Sequence, residues 1–194
     1  MAGITPSQTV GPFFAIGLTP HDHAFNAIFS NNLVTPDASG ERIRIEGRLL
    51  DGDDEAVLDG MIEVWQADAA GRYAHRADTR AQPNAAFKGF GRCGTGPDGA
   101  YRFDTIKPGA APGPNGSAQA PHIVVAVFAR GMLRQVYTRL YFADENANGT
   151  DPILAAVPAD RRATLIAQRT GDGLPVYRFD IRLQGDRETV FFEI

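Results

Sequence analysis

A single cysteine, Cys93, leaves this chain without the means to form an internal disulfide or a thiolate-rich zinc or iron–sulfur centre. No apolar run approaches the roughly 20 residues needed to cross a bilayer, so no membrane span is expected. No block of Lys or Arg is present and the formal net charge is −4, which argues against nucleic acid as a partner. The opening MAGITPSQTVGPFF lacks a basic stretch leading into an apolar one. No secretory signal is therefore expected, and a cytoplasmic protein is the simple expectation. Histidine is scarce as well: there are four, of which His122 is the last, and no tyrosine occurs between Tyr101 and Tyr137.

What remains is an ordinary globular composition, 43% hydrophobic and 22% charged over 194 residues, enough for one domain with a substantial core. Strand signals dominate. RIRIEGRLL (42–50), MIEVWQA (61–67), AYRFDTI (100–106), HIVVAVFA (122–129), QVYTRLYF (135–142), VYRFDIRLQ (176–184) and ETVFFEI (188–194) are short and rich in β-branched and aromatic residues. Turn residues such as GPDG and GDGLP separate them. The alternation Ile43, Ile45, Gly47 against Arg42, Arg44, Glu46 is that of a sheet with one covered face, and HIVVAVFA should be central. Only 159–168, following Pro158, reads as a helix, with a weaker helical signal in 21–31. The pattern predicts an all-β sandwich or barrel over 1–194. Residues 109–119, rich in Gly and Pro, form a long loop, and loops of that length tend to be functional. The first thirty residues, proline-rich at their start, are expected to include an extended arm that needs a surface to lie on.

Several motifs carry little. GFGRCG (89–94) satisfies a dinucleotide-binding spacing but leads into a turn and a strand rather than a helix, so its glycines are expected to serve close backbone contacts. His21 and His23 form the one H-x-H of the chain, yet they stand in a polar segment with no strand to hold both rings, as does His75 in its loop. Cys93 reads as a small buried hydrophobe. Tyr73 and His122 together are of more interest, because phenolate and imidazole suit ferric iron. On a strand, His122 and Val124 share a face, so an H-x-H here would offer two imidazoles, and Val124 removes one.

EVWQADAAGRY (63–73), GFGRCGTGPDGAYRFDTIKPG (89–109), APHI (120–123) and TRLYF (138–142) are similar, in order and spacing, to the intradiol ring-cleaving dioxygenases. That family opens catechol rings on a β-sandwich with non-haem Fe(III). TPSQTVGPFF and FDIRLQGDRETVFFEI narrow the likeness to the iron-free α chains of its two-chain members. The resemblance implies four metal-site positions: Tyr73, Ala111 after Lys107-Pro108-Gly109, His122 and Val124. Two of these can donate to a metal. A methyl and an isopropyl group cannot, so a vestigial centre with no metal in this chain is expected.

The resemblance further implies a homologous iron-bearing β chain as partner in multiple αβ units, with protocatechuate and O2 as substrates. The product would be 3-carboxy-cis,cis-muconate, a step of aromatic catabolism by the β-ketoadipate route. This chain would add Thr9, Gly11, Pro12 and Arg130 to the substrate pocket, residues 1–30 lying on the partner. Thr9 offers a hydroxyl, Gly11 close backbone approach, Pro12 stiffness and Arg130 a guanidinium for the carboxylate. Two alternatives stand beside this: a homomeric catechol-type enzyme using Tyr73, His122, His21 and His23, and a non-catalytic module that binds aromatic acids.

Overall fold

Every second residue along RIRIEGRLL is buried, and the segment forms strand β1 (Arg42–Leu50) with Ile43, Ile45 and Leu49 in the core. The computed structural model describes residues 13–26, 28–80, 87–171 and 173–193. Ten further strands follow: β2 (Met61–Gln66), β3 (Phe90–Gly94), β4 (Ala100–Ile106), β5 (Ala111–Pro112), β6 (Ala118–Gln119), β7 (His122–Phe128), β8 (Val136–Phe142), β9 (Ile166–Thr170), β10 (Val176–Arg178) and β11 (Ile181–Arg182).

Nine of them join in one sheet of order β11-β1-β10-β9-β8-β7-β2-β3, with β4 antiparallel to β1 on its other side. The sheet curls so that its halves share one core. Ile43 and Ile45 of β1, Phe103 of β4, Ile62 and Val64 of β2, Val125 and Val127 of β7 and Tyr177 of β10 form a single buried cluster. Each such side chain, fully buried, contributes about 1.5–3 kcal/mol. The all-β sandwich is thus the observed architecture, and β7 is central, held between β2 and β8.

Three segments differ from their sequence signals. The helix expected over 159–168 is a single 3-10 turn, Arg162–Leu165, after which the chain enters β9. Leu165 is fully buried in a second cluster with Tyr141 and Leu154, and the backbone then pairs parallel to β8. Regular helix lies earlier, in α2 (Pro152–Ala156), after α1 (Phe13–Leu18) near the start of the chain. Pro152 opens α2 and Asp151 caps it, accepting from Ile153 N and Leu154 N.

The segment 188–193 joins the sheet only through one bridge, Tyr137 to Phe192. Side-chain bonds hold it instead: Thr138 Oγ1 donates to Val190 O at 2.7 Å and Thr189 Oγ1 accepts from Arg182 N at 2.9 Å. At the other end, 13–23 is helical rather than extended, with a 3-10 turn at Pro20–His23. Its Leu18 O accepts from Arg92 Nη1 of this chain's own sheet, and, a few residues on, Phe29 meets Phe90 edge to face at 4.8 Å.

The glycines of 89–94 act as expected. β3 is an edge strand of the sheet, and a Cβ at Gly91 would stand 2.5 Å from the side chain of Leu33. Cys93 packs against the main core, where burial pushes its thiol up to about 12. It therefore stays a protonated thiol at neutral pH.

Candidate functional site

Three adjacent strands present one row of side chains on the face away from the main core. Trp65 of β2 pairs with Val124 of β7, which pairs with Arg139 of β8. Directly paired residues on neighbouring strands share a face. His122, two residues before Val124, stands on the same face and lies opposite Tyr141, ring centroids 5.8 Å apart. The period of the strand is what brings these groups together.

Tyr73 reaches them from the turn after β2. Asp68 ties that turn, accepting at Oδ1 from Ala70 N and Arg72 N, both at 2.9 Å, and at Oδ2 from Arg72 Nε at 3.2 Å. Gly71 has φ +74°, and a Cβ there would lie 1.8 Å from Ala110 O, so only glycine allows the turn to seat against the 109–112 backbone. Asp78 then takes Tyr73 N at 2.8 Å and pairs with Arg80. The Arg80 guanidinium holds the Asp78 carboxyl well below the usual range. The Tyr73 ring stacks on Trp65, centroids 6.0 Å apart and planes 13° from parallel.

The result is an open cleft of roughly 690 Å³ lined by Trp65, Tyr73, His122, Val124, Gln119 and Arg139 among others. His122 Nδ1 lies 2.7 Å from Ala120 O. A carbonyl only accepts, so Nδ1 carries the hydrogen, and in the neutral ring Nε2 keeps the lone pair. The Tyr73 hydroxyl is 3.4 Å from that Nε2, a long hydrogen bond. Burial lowers the pKa of His122 and raises that of Tyr73. Both groups are neutral at pH 7.

Ala111 is buried on β5, beside cleft-lining Pro112 and paired across the ribbon with Gln119. The structure therefore gathers Tyr73, His122 and Val124 around one cleft, with Ala111 at its margin. This donor set does not fit ferric iron. One phenol and one imidazole are available, the other two positions end in carbon, and the positive charge of Arg139 acts on both Tyr73 and His122. The carboxylate that lines the cleft, Asp78, is committed to Arg80 and Tyr73 N, and Asp151 is buried and bound to Tyr141 Oη and backbone amides. Among the described residues no group of three or more His, Cys, Asp or Glu could hold a metal ion.

Arg130 is elsewhere. It follows the far end of β7 from His122, and the strand between them spans roughly 20 Å. Its side chain is exposed and ion-paired with Asp59. It lines a second cleft of roughly 620 Å³ together with Leu18, Thr19, Asp22, His23 and Leu58. Residues 18–23 thus run beside Arg130. Thr9, Gly11 and Pro12 lie outside the described residues.

Sequence reasoning missed Gln119, Arg139, Asp68, Asp78 and Asp151. Arg139 could have been found, since TRLYF places it two residues before Tyr141 on the same strand face. Asp151 could not. It is 1% exposed and accepts from Ala120 N at 2.8 Å, Tyr141 Oη at 3.0 Å, Ile153 N and Leu154 N. It thereby anchors the residue whose carbonyl orients His122.

Comparison with known proteins gives the family of the chain. The family model described as Dioxygenase matches residues 9–185. The protocatechuate 3,4-dioxygenase alpha chain of Burkholderia cepacia is 47% identical over 98% of this chain and 97% of its own length. The beta chain of the same organism's enzyme is 38% identical over 88% of this chain and 74% of its own. Among solved structures, the dioxygenase domain of a dioxygenase carbohydrate-binding protein fusion from Streptomyces sp. SirexAA-E superposes with a TM-score of 0.62. It is 26% identical and covers 94% of this chain and 99% of that one. By the length and level of these likenesses, and by the curled sheet that carries them, the chain belongs to the intradiol dioxygenase family.

Proposed function

We propose that this chain is the iron-free α subunit of a protocatechuate 3,4-dioxygenase, and that it completes the substrate pocket of a homologous β chain that carries the metal. The observation behind this reading is the donor set: Tyr73 and His122 face a cleft whose other two candidate positions are Ala111 and Val124, beside the cationic Arg139. A cleft so equipped is a poor ferric site, while the chain's likeness to alpha chains runs over nearly its full length.

The reaction inserts both atoms of O2 as the bond between the two hydroxyl-bearing ring carbons of protocatechuate breaks, giving 3-carboxy-cis,cis-muconate. Ferric iron in the β chain would bind the catecholate and make the ring reactive toward dioxygen. The contribution of this chain is binding and enclosure. Arg130, exposed and paired with Asp59, would attract the substrate carboxylate, and the segment through Leu18 and Thr19 runs along the same cleft. Thr9, Gly11 and Pro12 would continue that wall on the partner. Several αβ units assembled in the cytoplasm, serving aromatic catabolism by the β-ketoadipate route, complete the proposal. Among the described residues, no helix is long and apolar enough to cross a membrane.

Co-expression with a homologous β chain tests it. The αβ preparation is expected to show visible ferric–tyrosinate absorption and protocatechuate-dependent oxygen uptake, and the lone chain neither. In the complex, Arg130→Ala should raise KM for protocatechuate about tenfold, the loss of one charge-assisted hydrogen bond, and leave the visible band in place. A lone chain that binds one equivalent of iron and opens catechols would overturn the proposal in favour of a homomeric enzyme.

A further inference from the structure

The Tyr73–His122 cleft keeps features that a decayed metal site does not need. Its aromatic wall is built from Trp65 and Tyr73, stacked nearly parallel, with Val124 and Pro112 adding apolar surface. Facing that wall is Arg139, half-buried, whose Nη1 donates at 2.6 Å to the neutral side chain of Gln119. Among the described residues Arg139 forms no ion pair with a carboxylate, although most of the chain's other arginines do.

The nearby acids are engaged. Asp78 pairs with Arg80, and Asp151 is buried, accepting from Tyr141 Oη and three backbone amides. Tyr73 and His122 add no negative charge, being a phenol and a neutral imidazole. Of the charged groups that line the cleft, Asp78 is matched by Arg80, which leaves Arg139 as the charge its wall offers, while Asp151 acts on His122 and Tyr141 from beneath the surface and does not line the cleft. A half-desolvated guanidinium whose direct partners are the neutral Gln119 and Tyr141 keeps the capacity to bind an anion at its cleft side. A flat apolar wall beside it selects the body of that anion.

We infer that this cleft is a second, non-catalytic binding site, in this chain itself, for a planar aromatic carboxylate. The ring lies against the Trp65 and Tyr73 wall and the carboxylate faces Arg139. No covalent step occurs there. The site depends on no partner and no metal, so it stands or falls separately from the assignment of this chain to an αβ enzyme.

The chain's only tryptophan is Trp65, so fluorescence reports on this cleft alone. The probe is 4-hydroxybenzoate, which has the ring and carboxylate but lacks the second hydroxyl that cleavage requires. Titration of the full isolated chain should give a saturable change in Trp65 emission, with one site per chain by calorimetry. Phenol, without the carboxylate, should bind about tenfold more weakly, and Arg139→Gln should weaken 4-hydroxybenzoate by a similar factor while the melting temperature holds. Three results would each overturn the inference: no saturable change up to about 20 mM, equal binding of phenol, or undiminished binding by Arg139→Gln. If the isolated chain does not remain folded, the count is made in the αβ complex. Two 4-hydroxybenzoate sites per αβ pair are then expected, falling to one in Arg139→Gln, and a single site in the unmodified complex refutes the inference.

Discussion

At the scale of single residues, the site rests on buried polar groups that each have a partner. Gln66, 1% exposed, donates from Nε2 to Ile106 O at 2.9 Å and accepts from Thr105 Oγ1 at 2.7 Å. It lies on the strand just beyond Trp65. Thr105→Val removes the donor and strands the Gln66 carbonyl oxygen in the core. It is expected to cost about 1–2 kcal/mol in denaturant unfolding, with Trp65 emission as the probe.

His122 gives the chain a pH dependence of known sign. Burial lowers its folded pKa beneath the ordinary 6.5, with the Arg139 charge acting in the same direction and the bond to Ala120 O and the Asp151 charge opposing both. The unfolded chain therefore takes up a proton first as pH falls through 6.5. Stability contributed by the neutral ring is present above that value and is lost toward the lower folded pKa. Melting temperature should fall between pH 7.5 and pH 5, and more steeply than in a His122→Asn variant. Equal slopes would show that His122 is not buried neutral.

The sequence exposed this residue scale in part. An H-x-V where a metal would want H-x-H was readable at once, because strand periodicity puts positions two apart on one face. That Ala120 fixes the tautomer of His122, and Asp151 fixes Ala120, depends on residues 31 apart in the chain meeting.

At the scale of elements, short pieces are held by their ends. α2 has five residues and little helical stability of its own, so the Asp151 cap and the burial of Leu154 sustain it. Asp151→Ala would strip the cap, free Ala120 N and leave Tyr141 Oη without its acceptor. It should destabilise the chain by about 3 kcal/mol and broaden the His122 ring resonances by NMR. Gly71→Ala places a methyl against Ala110 O at positive φ and should cost about 2 kcal/mol or more, with Tyr73 displaced from Trp65.

Elements are also where the sequence misled. Residues 159–168 look helical because Leu165 and Ile166 follow a polar turn, yet ladder bonds to β8 and β10 outweigh that propensity once Leu165 is buried. The FFEI tail has strand composition, but its described residues pair only through one bridge.

At the scale of the molecule, the two clefts lie toward opposite ends of β7. One holds Tyr73, His122 and Arg139; the other holds Arg130 and the N-terminal segment. Around the second, Leu58 is 56% exposed, and Ile16, Phe25, Ile28 and Phe29 on the neighbouring segment are exposed as well. Such surface is expected to be covered by the β chain. The lone chain should bind a hydrophobic dye such as ANS, with fluorescence falling once the β chain is added. An unchanged signal would place the interface elsewhere.

The sequence by itself determined the class of fold and that Ala111 and Val124 carry no donor atom, because both depend on local facts: alternation along strands, and which side chains carry an oxygen or nitrogen. The tertiary structure alone decided that Arg139 faces the cleft without a carboxylate and that Arg130 stands roughly a strand's length away. Charge balance at a site is a sum over groups distant in the chain, and only the folded sheet brings those groups within range of one another.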